Sequence, residues 1–144
     1  RVLDAFAGSG AMGFELLSRG ALYATFVDKD RKTGDRIKRS AKSLGVSSSE
    51  MNVICGDTAR LAESSQLYGA PFDVVFLDPP YAVEAEVVSK LLKDLIQSGS
   101  LTKDAVAVYE HSHKTDSVSL DDFELSKSKR YGIAQVDLLV RCEG

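Results

Sequence analysis

The residues of this chain best suited to chemistry are Asp78-Pro79-Pro80-Tyr81, which follow directly on the apolar run Val74-Val75-Phe76-Leu77. That run reads as a strand buried on both faces, and in parallel α/β sheets ligands bind outside the carboxyl ends of such strands. An acidic acceptor, a stiffened backbone and an aromatic face therefore meet where a crevice is expected. The grouping suits the exocyclic amine of a flat base. Such an amine is a poor nucleophile because its lone pair is delocalised into the ring, so it must be oriented and the charge developing on nitrogen must be stabilised. Asp78 and the Pro79 carbonyl can accept its two N–H bonds, the prolines fix φ and remove backbone donors, and Tyr81 can stack on a base drawn out of its helix or loop. The competing reading is a proline-rich strand-to-helix turn with Asp78 as a cap.

Methylation of an amine needs a donor, and the first residues supply a site for one. Arg1-Val2-Leu3 leads into a loop from Asp4 to Gly13, after which Phe14, Leu16 and Leu17 mark a helix reaching about Arg19. Gly8, Gly10 and Gly13 match G-x-G-x-x-G, whose glycines allow a tight turn, close backbone approach to a ligand and close helix packing. Nicotinamide and flavin sites share that spacing, with a pyrophosphate at the helix N-terminus. Asp4 at the mouth of the loop would repel a phosphate and favour the ammonium of a methionine moiety, directly or by holding the loop. The acid thus tilts the reading toward S-adenosylmethionine.

Two further acids fall where an adenosine needs them. Residues 23–27 read as a second strand, and Asp28 at its end lies about 20 residues beyond Gly8, the spacing of a ribose-hydroxyl acceptor. Asp30 competes, but it precedes a helical pattern and suits an N-cap. A third strand over 52–55 runs into Gly56-Asp57, where Asp57 either accepts from the adenine amine or caps a helix over 59–64.

Taken in order, D-x-F-x-G-S-G-A-x-G, Ser18-Arg19-Gly20-Ala21, F-V-D-K-D-R, G-D and D-V-V-F-L-D-P-P-Y resemble the RsmD-type family of small-subunit ribosomal RNA guanine-N2 methyltransferases, along essentially the whole chain. D-P-P-Y and the glycine loop are shared with N6-adenine and N4-cytosine methyltransferases, whereas S-R-G-A and F-V-D-K-D-R narrow the match. The resemblance implies that Asp4, Phe6, Gly8, Gly10, Gly13, Asp28 and Asp57 contact S-adenosylmethionine, with Asp78, Pro79, Pro80 and Tyr81 at the target guanine. It also implies ribosomal RNA as the partner, in a small-subunit assembly intermediate, and a monomer. Asp28 stands where the family commonly has glutamate, Gly34 falls inside a helix at a cost of about 1 kcal/mol relative to alanine, and the family's arginine- and threonine-rich beginning is missing. The chain therefore reads as a trimmed catalytic core.

Composition fits one domain over residues 1–144: 44% hydrophobic content can bury a core without disulfides, and Cys55 and Cys142 suit free thiols better than a zinc motif. No metal site is expected. No stretch suits a bilayer span or signal peptide; a bacterial protein would be cytoplasmic and a eukaryotic one organellar.

A net charge of −3 does not announce a nucleic-acid binder, so the distribution of charge matters more. Arg31, Lys32, Arg36, Lys38, Arg39 and Lys42 give one helix a basic face, with Ile37, Ala41 and Leu44 on another. Such a run is ordinarily a solvated face, with RNA contact as the alternative. Lys127, Lys129 and Arg130 form a second basic set, with Lys127, Lys129 and Tyr131 on one side of a strand, bordering the cleft or guarding a free edge.

The remaining elements complete the pattern. Residues 84–97 read as a helix with Val87, Val88, Leu91, Leu92, Leu95 and Ile96 inward, 105–109 as a buried strand, and 123–131 and 135–141 as a hairpin around Gly132. Glu110 follows the strand over 105–109 at its carboxyl end and could line the pocket, but reads first as a cap or ion-pair residue, and His111 and His113 read as solvated loop residues. Alternating strands and helices ending in a hairpin indicate an α/β, Rossmann-like class I methyltransferase fold, with a mostly parallel seven-stranded sheet and helices on both faces. A nicotinamide oxidoreductase would leave the proline turn unexplained, and a scaffold without catalysis would not need it intact.

Overall fold

The computed structural model describes residues 1–64 and 67–143. In chain order the elements are β1 (Val2–Asp4), α1 (Ala11–Ser18), β2 (Ala24–Asp28), α2 (Arg31–Leu44), β3 (Met51–Cys55), α3 (Thr58–Glu63), β4 (Phe72–Leu77), α4 (Ala85–Gln97), β5 (Leu101–Ser112), β6 (Phe123–Tyr131) and β7 (Ala134–Arg141). The seven strands form one sheet in the order β3-β2-β1-β4-β5-β7-β6. All pairings from β3 to β5 are parallel, and β7 runs antiparallel to both β5 and β6. This is the Rossmann-like methyltransferase architecture expected from the sequence.

The period-two alternation of the strands separates two cores. Leu3, Val75, Leu77, Ala107 and Tyr109 pack with Val88, Leu91, Leu92 and Leu95 of α4 on one face. Val2, Ala24, Phe26 and Phe76 pack with Ile37 and Ala41 of α2 on the other, where Phe14, Leu16 and Leu17 of α1 join them. Helices therefore cover both faces, which is why the central strands carry hydrophobic residues at consecutive positions.

Two helix residues depart from the expected inward pattern. Leu44 is 63% exposed and Val87 47% exposed. Leu44 is the last residue of α2, directly before the left-handed Gly45 cap, where the helix ends and its apolar stripe leaves the sheet. Val87 lies in the first turn of α4, before Val88 and Leu91 reach the core. Gly34 has a packing use: its face of α2 approaches β3 closely enough that an added Cβ would stand 3.4 Å from Val53 Cγ1.

The largest departure is β5, which continues past the expected residue 109 to Ser112 because β7 pairs with it as far as Ser112↔Ala134. Glu110 and His111 are consequently strand residues. His111 is buried, so the solvated-loop reading is wrong for it: Nε2 donates to Asp137 Oδ2 at 2.6 Å, and its ring stacks on Tyr109 at 4.7 Å between centroids. A histidine with a carboxylate partner two positions along the neighbouring strand can be buried because its polar atoms are satisfied there.

Candidate functional site

The carboxyl ends of β1, β2, β4 and β5 open into a cleft of about 1340 Å³. Adjacent strands bring the two sequence motifs together: β1 lies directly between β2 and β4, with Asp4 opposite both Phe26 and Phe76. The glycine loop after β1 and the proline turn after β4 are thus neighbours in space, although some seventy residues apart in the chain, as the Val2↔Val74 pairing shows.

The loop is built by backbone bonds that tie it to the strand ends. Ala5 N–H donates to the Phe76 carbonyl at 3.1 Å, Ala7 N–H to the Val27 carbonyl at 2.9 Å, and the Thr58 hydroxyl to the Ala5 carbonyl. Gly8 and Gly10 take φ of 55° and 78°, left-handed conformations that disfavour other residues. Gly13 serves close packing instead, since a Cβ there would stand 2.3 Å from Phe26 Cε1.

Asp4 and Asp28 hold this loop in place. Asp28 Oδ2 accepts the Gly8 N–H at 3.0 Å and Oδ1 accepts the Asp30 N–H at 2.9 Å, leaving further lone pairs for a ligand. Asp4 Oδ2 accepts the Gly13 N–H at 3.2 Å, inside the first turn of α1. Burial pushes the Asp4 carboxyl up to about 7, the Gly13 bond opposes that rise, and the charges of Asp78 and Asp28 add to it. A carboxyl so placed, near other acids, would favour a cation over a phosphate.

Asp57 is the case that the spacing left open. It caps α3, accepting the Ala59 N–H at 3.0 Å, and Lys29 Nζ stands 3.7 Å from its other oxygen. Asp30 likewise caps α2 through Lys32 N–H and the Thr33 hydroxyl. Among the expected cofactor residues, Asp4, Phe6, Gly8 and Asp28 line the cleft. Gly10, Gly13 and Asp57 are not among its lining residues and act on it through the loop and helix they shape.

Asp78, Pro79, Pro80 and Tyr81 line the same cleft, and Val83 N–H closes the turn onto the Pro80 carbonyl at 2.9 Å. Tyr81 is 75% exposed, so its ring face is free for stacking. Glu110 lines the cleft as one of its two sequence readings allowed, and the cleft continues past Lys114 and Thr115 to Ala134 and Val136 of β7, beyond what the motifs indicated. Glu110 is no cap: it pairs with Val136 in the β5–β7 ladder. The alternation Val106, Val108, Glu110 was the available signal, since it puts Glu110 on the same face as Val108.

Residues 1–140 match the family described as Conserved hypothetical protein 95. The ribosomal RNA small subunit methyltransferase D of Haemophilus influenzae is 33% identical over 137 residues, which cover 94% of this chain and 69% of that protein. The chain belongs to the RsmD family. Solved structures of the family's fold superpose closely. One from Haemophilus influenzae, described as a methylase, has a TM-score of 0.86 at 31% identity and covers 99% of this chain and 87% of its own. A conserved hypothetical protein of Streptococcus pyogenes has a TM-score of 0.85 at 30% identity, covering 98% of this chain and 85% of its own. Membership in the RsmD family accords with the S-R-G-A and F-V-D-K-D-R segments, which fall at the end of α1 and the junction of β2 with α2.

Proposed function

We propose that this chain transfers the methyl group of S-adenosylmethionine to the exocyclic N2 amine of a guanine in small-subunit ribosomal RNA. The observation that carries the reading is the junction of the acid-flanked glycine loop and the proline turn in one cleft, in a chain of the RsmD family. The cofactor fits the residues present. Its cationic methionine end meets Asp4, Asp28 lies where ribose hydroxyls need an acceptor, and Gly8 leaves open space where any side chain would project.

S-adenosylmethionine, when bound, supplies an electrophilic methyl carbon on a sulfonium, so no covalent enzyme intermediate is required. Asp78 and the Pro79 carbonyl accept the two N–H bonds of the amine and aim its nitrogen at that carbon. Most of the rate gain then comes from proximity and orientation. The partial positive charge that develops on nitrogen faces fixed acceptors, which stabilise it in the transition state. The nitrogen sheds one proton after transfer, to Asp78 or to water. Tyr81 stacks on the extracted base.

RNA phosphates need cations, and the β6–β7 hairpin supplies them beside the cleft: Tyr131 pairs with Ala134, which lines it, and Lys129 Nζ lies 5.2 Å from the Tyr131 ring centroid. The substrate we favour is a partly assembled small subunit, approached by a monomer, because a domain of this size gains specificity from a preformed RNA shape. Nucleoside mass analysis of the methylated RNA tests the reading: N2-methylguanosine is expected, and N6-methyladenosine or N4-methylcytidine would replace it with a neighbouring specificity.

A further inference from the structure

Base specificity at an exocyclic amine depends on the ring nitrogen next to it. In guanine that nitrogen, N1, carries a hydrogen; the corresponding adenine N1 and cytosine N3 are bare acceptors. A site that binds the amine through Asp78 therefore reads guanine if a second acceptor stands beside Asp78, and rejects it if a donor stands there.

Glu110 is that neighbour. The β4–β5 register pairs Leu77 with Tyr109, so Asp78, the first residue past the end of β4, stands beside Glu110, which is still within β5. Parallel strands stand about 4.8 Å apart, within reach of two adjacent groups on one base edge. Phe76 and Val108 belong to the same core face, and the alternation carries Asp78 and Glu110 to that face, where both line the cleft. The longer Glu110 side chain reaches over the distance between strands. We infer that Glu110 is a specificity-determining residue whose carboxylate accepts the N1–H of the target guanine while Asp78 and Pro79 hold its N2 amine.

The electrostatics of the pair agree with this placement. Burial and the charge of the neighbouring Asp78 push the Glu110 carboxyl above its usual range. Two acidic side chains so close leave an acceptor-rich edge that lacks a donor partner when no base is present. A guanine edge, with adjacent N1–H and N2–H donors, satisfies both groups at once. Adenine or cytosine would set a lone pair against Glu110, which repels it.

The inference rests on the guanine-N2 reading and is tested separately from it. 2-Aminopurine keeps the amine at the guanine position but has no hydrogen on N1. RNA carrying guanine or 2-aminopurine at the mapped target nucleotide is offered to wild type, Glu110→Ala and Glu110→Gln, with cofactor affinity by calorimetry and melting temperature as controls. Wild type should favour guanine by roughly 10- to 100-fold in kcat/KM, the worth of a hydrogen bond to a charged group. Glu110→Ala should erase most of that ratio by losing guanine activity alone, and Glu110→Gln, which retains an acceptor oxygen, should fall between. An undiminished ratio in a folded variant that binds cofactor would overturn the role of Glu110. Methylation of adenine or cytosine and not guanine by wild type would instead remove the reading beneath it.

Discussion

Asp28 accepts the backbone N–H of Gly8 at 3.0 Å, so the acid at the end of β2 and the first glycine of the loop after β1 form one unit. The side chain proposed for the ribose thus also shapes the glycine loop proposed to hold the cofactor. Asp28→Ala should weaken S-adenosylmethionine binding by about 1–3 kcal/mol if the proposed ribose contact is lost, and the loss should exceed that of Asp57→Ala, whose carboxylate is engaged in capping α3. Calorimetric titration of both variants checks the ordering.

The Asp4 carboxyl gives cofactor binding a pH dependence. Its folded value of about 7 lies above its unfolded one, so the cofactor-free protein binds more protons than the unfolded chain between about pH 4 and 7 and loses stability as pH rises through that window. A bound cation favours the ionised form, so cofactor affinity should rise from pH 5.5 to 7.5. Asp4→Asn should flatten both the melting-temperature profile and the affinity profile. Equal slopes in wild type and variant would assign them to another group.

Asp78→Ala should cut methyl transfer by about 100-fold or more while leaving cofactor affinity nearly unchanged, since the proposed partner of Asp78 is the target amine. Tyr81→Ala should chiefly raise KM, by a stacking loss of about 1–3 kcal/mol, and Tyr81→Phe should retain most activity because stacking needs only the ring. Single-turnover rates and RNA binding measured side by side separate the two roles.

Gly13→Ala should destabilise the fold by about 1–3 kcal/mol or more, because its Cβ would overlap Phe26, a fully buried ring that also packs on Phe14 at 4.8 Å. Gly8→Ala meets no such neighbour and should cost about 1 kcal/mol in backbone strain alone. Denaturant unfolding of the two variants should therefore rank the third glycine of the motif above the first in stability and below it in cofactor binding.

Removing Lys127 and Lys129 together should lower the salt slope of RNA binding by roughly 1.4 to 1.8, as expected for two phosphate contacts. Removing Lys38 and Lys42 on α2 should leave it unchanged if that helix is only solvated. Filter binding across a salt series compares the two surfaces directly.

Much of the fold was legible because local and global signals agree. The strand over 74–77, the glycine loop and the terminal hairpin each carry their own periodicity or turn residue, and all three stand where expected. Less legible were features that depend on distant partners. Nothing local to His111 indicates Asp137, whose carboxyl is pushed up by burial and brought below its usual range by hydrogen bonds that include those of Ser128 and His111. The same long-range pairing with β7 extended β5, and so made Glu110 a strand residue and not a cap. At Asp57 the spacing allowed two roles, and only the Ala59 bond shows capping.

The central position of β1 also bears on how the protein is made. Val2 gains Ala24 as a neighbour early, but its other partner, Val74, leaves the ribosome some fifty residues later. At ordinary elongation speeds that interval is on the order of 3–10 s. Throughout it the nascent chain carries a bare β1 edge flanked by apolar surface, a template for pairing with other chains. The arrangement that sets the glycine loop beside the proline turn thus imposes a period of vulnerability during synthesis, and the arrival of β4 ends it.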